Sequence, residues 1–69
     1  MPIDPTKCRL LRQARGLTTR ELAERIGGQN PTISRIEMGH NRNVTLATAE
    51  RLARALGVQV QDLLEDRGR

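Results

Sequence analysis

Residues Thr19 to Gly39, TRELAERIGGQNPTISRIEMG, contain two short helix patterns separated by a turn. The first pattern stops at Gly27, because glycine readily adopts the left-handed conformation that follows a helix C-terminus. The second starts near Pro31, since proline is favoured at the first position of a helix. Ala23 faces the junction, where a small side chain lets the second helix approach the first. The segment therefore predicts two helices that meet at a wide angle across a tight turn.

Helical spacing separates an apolar face from a polar face on this pair. The inward positions are Leu22, Ala23, Ile26, Ile33 and Ile36. The outward face of the second helix contains Asn30, Pro31, Thr32, Ser34, Arg35 and Met38. Such a short, polar, aromatic-free face fits the major groove of DNA and can contact base edges. A purely structural interpretation stays open, because the helices of any small bundle have polar outer faces.

Similar start and stop signals predict further helices before and after this pair of helices. Asp4 and the proline after it cap a first helix, Thr18 to Glu21 form a capping box, and Thr45 caps a fourth helix. The predicted helices cover about residues 5–15, 19–26, 31–38, 46–56 and 61–66. Their further inward positions are Cys8, Leu11 and Arg15, then Ala49, Leu52, Ala53 and Leu56, then Val60, Leu63 and Leu64. Five short amphipathic helices can bury their stripes only against one another. The prediction is one all-α bundle over residues 1–69, with its core within about 5–66.

The amino-acid composition excludes some classes of binding partner. The chain has 69 residues, of which 36% are hydrophobic and 29% charged, as is typical of one small globular domain. It contains no Phe, Trp or Tyr. Modules that bind single-stranded nucleic acids stack bases on aromatic rings, so the common RNA-binding platforms are excluded, whereas duplex binding needs no such rings.

The net charge of +4 is concentrated in the first part of the chain. Residues 1–42 hold eight Lys or Arg residues against four Asp or Glu residues, while residues 43–69 hold four of each. This one-sided positive charge favours a polyanionic partner, although a solvated surface is the default interpretation for so small a chain.

The residue types present offer little chemistry for metal sites, cofactors or catalysis. The one cysteine, Cys8, excludes an internal disulfide, and with one histidine, His40, the usual zinc patterns cannot form. The hydroxyl residues lack the His–carboxylate relay of a hydrolase. We therefore expect no cofactor, no metal and no enzymatic activity. No apolar stretch approaches the ~18–20 residues of a membrane span and no signal-peptide pattern is present, which predicts a cytoplasmic protein without a membrane partner.

Beyond these patterns, the sequence resembles the Cro and phage-repressor type (XRE-like) helix-turn-helix family. The matching segments are LRQARGLTTRELA at 11–23, ISRIEMG at 33–39, LARALGV at 52–58 and DLL at 62–64. The resemblance implies a five-helix, lambda-repressor-like DNA-binding bundle. It further implies that the third helix docks in the major groove, that the protein binds as a dimer, and that it represses or activates transcription.

Position in the matched motif assigns expected roles to particular residues. Base edges are expected to contact Arg35, Thr32 and Asn30, with ring contact from Pro31. Asn30 is also expected to cap the third helix, which leaves it less free to bind a base. Phosphates are expected to contact Thr19, Gln29, Ser34, Arg42 and Asn43. The resemblance also implies a charged, largely buried pair of Arg12 and Glu37 beneath the two helices.

A homodimer assembled on DNA is expected to use the neutral C-terminal part of the chain. Val58, Val60 and Leu63 lie near a turn that cannot bury all three, and two-fold symmetry there predicts an inverted-repeat site. The alternative function is a protein-interaction module with the same fold, such as an antitoxin that binds a toxin partner. A purely protein-binding module would bind its partner without shifting any duplex.

Overall fold

The computed structural model describes residues 1–28, 30–40 and 43–65. These residues form four α-helices: α1 (Pro5–Ala14), α2 (Thr19–Arg25), α3 (Asn30–Glu37) and α4 (Leu46–Leu56). A single 3-10 turn, Val60–Asp62, follows α4, and the ranges described contain no strand. Helix α3 packs on both α1 and α2, while α4 packs on α2 and on the 3-10 turn. The predicted all-α bundle is confirmed.

The helix starts follow the predicted caps. The carboxylate of Asp4 accepts hydrogen bonds from two first-turn amides at 2.9 and 3.2 Å. In the capping box, the Glu21 amide donates to Thr18 Oγ1 at 3.0 Å and the Thr18 amide donates to Glu21 Oε1 at 2.9 Å. Thr45 Oγ1 accepts from the Thr48 amide at 3.2 Å. Each bond satisfies an N–H group that has no partner within its helix.

The prediction of a fifth α-helix at 61–66 is wrong. Only Val60–Asp62 form a turn of 3-10 helix. The Leu63 carbonyl then accepts a hydrogen bond from the Asp4 amide at 2.8 Å, and Leu64 and Ile3 form an antiparallel bridge. Because the backbone after the turn is hydrogen-bonded to the N-terminal segment, it does not continue as a helix.

The core contains most of the residues predicted from helical spacing. Its members, all at most 8% exposed, are Ile3, Cys8, Leu22, Ala23, Ile26, Ile33, Ile36, Ala49, Leu52, Ala53, Leu56 and Leu63. Ile3 is the one member that lies outside every predicted helix. Arg15, predicted on the apolar stripe of α1, is instead exposed, because α1 ends one residue earlier.

Candidate nucleic-acid interface

Helices α2 and α3 form the predicted pair across a tight turn. On their inner faces Leu22, Ala23, Ile33 and Ile36 are at most 1% exposed. The Ala23 carbonyl accepts a hydrogen bond from the Gly28 amide at 2.9 Å, which closes the end of α2. Because this side of α3 is completely packed, its opposite side faces away from the core.

The outward side of α3 carries most of the predicted base contacts. Arg35 and Pro31 are exposed, whereas Thr32 and Ser34 are half-buried. The Arg35 guanidinium forms no ion pair within the part of the chain that the structure describes. Met38, directly after α3, is 69% exposed and extends the same face by one turn. The side chain of Arg35 is therefore available to an external hydrogen-bond acceptor.

Three predicted DNA contacts lie outside the described residues, namely those of Gln29, Arg42 and the side chain of Asn30. Helix α3 begins at Asn30, one residue earlier than predicted. The predicted capping role depends on the Asn30 side chain and therefore lies outside the described residues as well.

Thr19, Ser34 and Asn43 are the described members of the predicted phosphate-binding set. Thr19 is the first residue of α2 and is half-buried, and Asn43 is exposed. The amides of Thr19 and Arg20 have no hydrogen-bond partner within residues 1–28, 30–40 and 43–65. These two N–H groups can therefore donate to an anion at the start of α2.

Arg12 and Glu37 form an ion pair beneath α2 and α3. Arg12 Nε donates to Glu37 Oε2 at 2.7 Å, and Arg12 Nη2 donates to Glu37 Oε1 at 3.0 Å. The remaining nitrogen, Nη1, donates to the Leu17 carbonyl at 2.7 Å. The two side chains are 13% and 7% exposed, and the hydrogen bond to Glu37 raises the pKa of Arg12. One guanidinium thus joins α1, the connection before α2, and the end of α3.

The buried thiol of Cys8 lies next to this pair. Its Sγ is 4.0 Å from Glu37 Oε2. Burial is the main cause that raises the pKa of Cys8 to about 12, and the negative charge of Glu37 adds to the shift. The thiol is therefore neutral at physiological pH, as a core side chain rather than a nucleophile.

Two members of the predicted dimer contact are accessible and one is not. Val58 and Val60 are half-buried and pack against the edge of the core. Leu63 is fully buried, because it closes the core after the 3-10 turn. Leu63 therefore offers no surface to a second copy, and its predicted role in the interface is wrong.

Within the described residues, no group of His, Cys, Asp and Glu side chains is arranged to hold a metal ion. None of the helices described is long and apolar enough to cross a membrane.

The comparisons with known proteins agree with this geometry. A family model described as helix-turn-helix matches residues 9–63. No curated protein matches the sequence. The restriction-modification controller protein C.AhdI from Aeromonas hydrophila is 33% identical over 87% of this chain and 89% of its own, with a TM-score of 0.80.

Two further structures show how widely the fold occurs. The biofilm regulator SinR, solved in complex with DNA, is 28% identical over 88% of this chain and all of its own, with a TM-score of 0.84. A mutant hydroxyethylphosphonate dioxygenase is 30% identical over the whole of this chain but only 15% of its own, with a TM-score of 0.81. From the family match and the likeness to C.AhdI, the chain belongs to the XRE-type helix-turn-helix family.

Proposed function

We propose that this protein is a sequence-specific regulator of transcription that binds double-stranded DNA as a dimer, with α3 in the major groove. One observation carries the proposal. The inner face of α3 is fully packed, while its outer face presents an exposed Arg35 beside Thr32 and Ser34, and Arg35 forms no ion pair with any described residue. An α-helix fits the major groove, and arginine can form two hydrogen bonds with the edge of guanine.

The start of α2 supplies contacts to one phosphate group. The Thr19 hydroxyl and the amides of Thr19 and Arg20, which have no partner among the described residues, would donate hydrogen bonds there. Gln29, Ser34, Arg42 and Asn43 complete the proposed backbone set. These contacts fix the orientation of α3 on the duplex but do not distinguish one base from another.

The proposal includes no enzymatic step. The dioxygenase that shares this fold matches the present chain over only 15% of its length, so its chemistry is not carried over. A toxin as protein partner stays a prediction that rests on the family resemblance.

Selection from random duplexes, followed by titration of variants on the selected site, tests the proposal. We expect an inverted repeat whose half-sites are centred about 10 base pairs apart. Arg35→Ala should cost about 1–3 kcal/mol of discrimination at one base pair, because a bidentate guanine contact is lost. Arg42→Ala should weaken binding to all sequences alike and lower the salt dependence by about one unit.

The matched control is Arg9→Ala, which removes one exposed arginine from α1 and so the same net charge. It should change affinity slightly and leave the base preference intact. Retention of the full base preference by Arg35→Ala would refute the assignment of Arg35. Absence of any selected site would refute the function itself.

A further inference from the structure

A groove lies between the C-terminal end of α2 and one face of α4. It has a volume of about 570 Å³ and is lined by Arg25, Ile26, Gly27, Arg51, Arg54 and Ala55. The last three of these residues lie on one face of α4, because helical neighbours are three and four positions apart. The proposed DNA contacts involve none of the six.

Three arginines line this groove, and no described carboxylate pairs with them. Arg25, Arg51 and Arg54 are all exposed, and none of them forms an ion pair within the described part of the chain. Glu50 lies one turn before Arg54 on α4, yet it forms no ion pair with it. Among the residues that the structure describes, no carboxylate lines the groove. A concave surface with several like charges attracts a ligand of opposite charge.

The floor of the groove is apolar. Ile26 is 8% exposed, Ala55 is half-buried, and Gly27 contributes no side chain. An anionic ligand that also carries an apolar group can therefore use both the rim and the floor. The phosphodiester backbone carries no aliphatic side chain that could extend to this floor, whereas an acidic peptide with an apolar residue has one. Planar guanidinium groups also match carboxylates with two parallel hydrogen bonds.

We propose that this groove binds an acidic segment of another protein, in which an apolar side chain is flanked by aspartate or glutamate residues. The apolar side chain rests on Ile26 and Ala55, and the flanking carboxylates pair with Arg25, Arg51 and Arg54. This binding site is separate from the outer face of α3. The proposal therefore does not depend on whether the protein binds DNA.

The test uses the blocked peptide Glu-Glu-Leu-Glu-Glu and nitrogen-15 NMR of the full chain at low salt. Titration should shift the amide signals of Ile26, Gly27 and Ala55 in a saturable manner. The control peptides replace leucine with glycine, or every glutamate with lysine. Both controls should bind more weakly, because the first lacks the apolar contact and the second has the wrong charge.

Two matched variants separate the groove from general electrostatics. Arg54→Gln should weaken peptide binding about tenfold, the equivalent of one lost charged pair. Arg9→Gln removes the same charge from α1 and should change binding less than twofold. Ala55→Leu fills the floor without any change in charge and should abolish the groove-specific shifts, with thermal unfolding used to verify that the variant is folded.

Equal effects of Arg54→Gln and Arg9→Gln would overturn the proposal, as would unchanged binding by a folded Ala55→Leu variant. A duplex that shifts the Ile26, Gly27 and Ala55 signals while the acidic peptide does not would show a phosphate contact instead, and would also overturn it. Peptide binding by a protein that shifts no duplex would support the groove and refute only the proposed regulation of transcription.

Discussion

At the scale of single residues, the charged side chain of Arg12 lies largely out of contact with water. Its guanidinium donates to both oxygens of Glu37 and to the Leu17 carbonyl, and its side chain is 13% exposed. Two charges so far removed from water are tolerated only when their hydrogen bonds are well formed. If one of these two residues is removed, the other remains as a poorly solvated charge beneath the proposed DNA-binding helices.

Removal of either partner should therefore destabilise the protein strongly. We expect Arg12→Ala or Glu37→Ala to lower the free energy of unfolding by about 3–5 kcal/mol, a large share of the total for a small domain. Arg12→Ala should cost more, since it also leaves the Leu17 carbonyl without its donor. Urea unfolding of both single variants and the double variant should give a coupling energy of about 1–3 kcal/mol.

The surface pair of Arg20 and Glu24 is the matched control for this cycle. Its nitrogen and oxygen are 3.9 Å apart, and the side chains are 80% and 70% exposed. Solvent screening should reduce its coupling to about 0.5 kcal/mol or less. Equal coupling in the two cycles would show that burial of the Arg12 pair contributes nothing.

The thiol of Cys8 predicts how stability depends on alkaline pH. Its pKa is raised from 9.0 to about 12 in the folded protein. Above about pH 9 the unfolded chain loses the thiol proton while the folded chain keeps it. The full stability is therefore present below this pH, and the free energy of unfolding falls as the pH rises. The free energy of unfolding should fall with a slope that approaches about 1.4 kcal/mol per pH unit. Urea unfolding of the wild type and Cys8→Ala between about pH 8 and 11 measures the difference, and parallel curves would contradict the assignment.

At the scale of elements, both the backbone conformation and a neighbouring side chain restrict Gly57, directly after α4. Gly57 has φ +72°, which L-residues with a Cβ rarely adopt. A Cβ at this position would also lie 2.5 Å from Nη2 of Arg15. The guanidinium therefore lies against the C-terminus of α4, where the helix dipole favours a positive charge.

We expect Gly57→Ala to destabilise the protein more than Gly16→Ala. Gly16 has φ +69° and, apart from its own chain neighbours, no described atom within 4 Å of a Cβ built on it, so its substitution costs only the backbone strain of about 1–2 kcal/mol. Gly57→Ala adds displacement of Arg15, for a further loss of about 0.3–1 kcal/mol. In an Arg15→Ala background the two substitutions should become equal. A persistent difference in that background, measured by chemical unfolding, would exclude Arg15 as its cause.

At the scale of the whole molecule, one small domain contacts too few bases to select a single site among the ~10⁶ or more competing sites of a genome. A dimer doubles those contacts. With Leu63 buried, the proposed interface consists of Val58 and of Val60, the first residue of the 3-10 turn. Two-fold symmetry there would place the two copies of α3 about 34 Å apart, one turn of DNA. So small an apolar patch predicts a weak dimer that forms on DNA.

Val60→Glu should abolish cooperative binding to an inverted repeat but preserve the affinity for a half-site. Gln61→Glu adds the same charge at the exposed neighbouring position and should leave cooperativity intact. Sedimentation with and without duplex gives the stoichiometry, which we expect to be two chains per inverted repeat. One chain on a non-palindromic site would contradict the dimer, and equal effects of the two variants would contradict its placement.

The sequence by itself determined the four α-helices and the inward faces of α2, α3 and α4. Predicted and observed boundaries of these helices differ by at most one residue. Caps, end glycines and apolar spacing act between residues a few positions apart, so they can be recognised without the fold. Arg35 and Pro31 could be placed on the outer face of α3 for the same reason.

Only the tertiary structure decided the features that depend on distant segments. Burial of Ile3 and the loss of the fifth helix follow from hydrogen bonds between the two ends of the described chain. The contact of Arg15 with Gly57 joins the C-terminal ends of α1 and α4, and the groove lined by Arg25, Arg51 and Arg54 lies between α2 and α4. None of these has a local sequence signal, because the partner of each residue is set by how the helices pack and not by spacing along the chain.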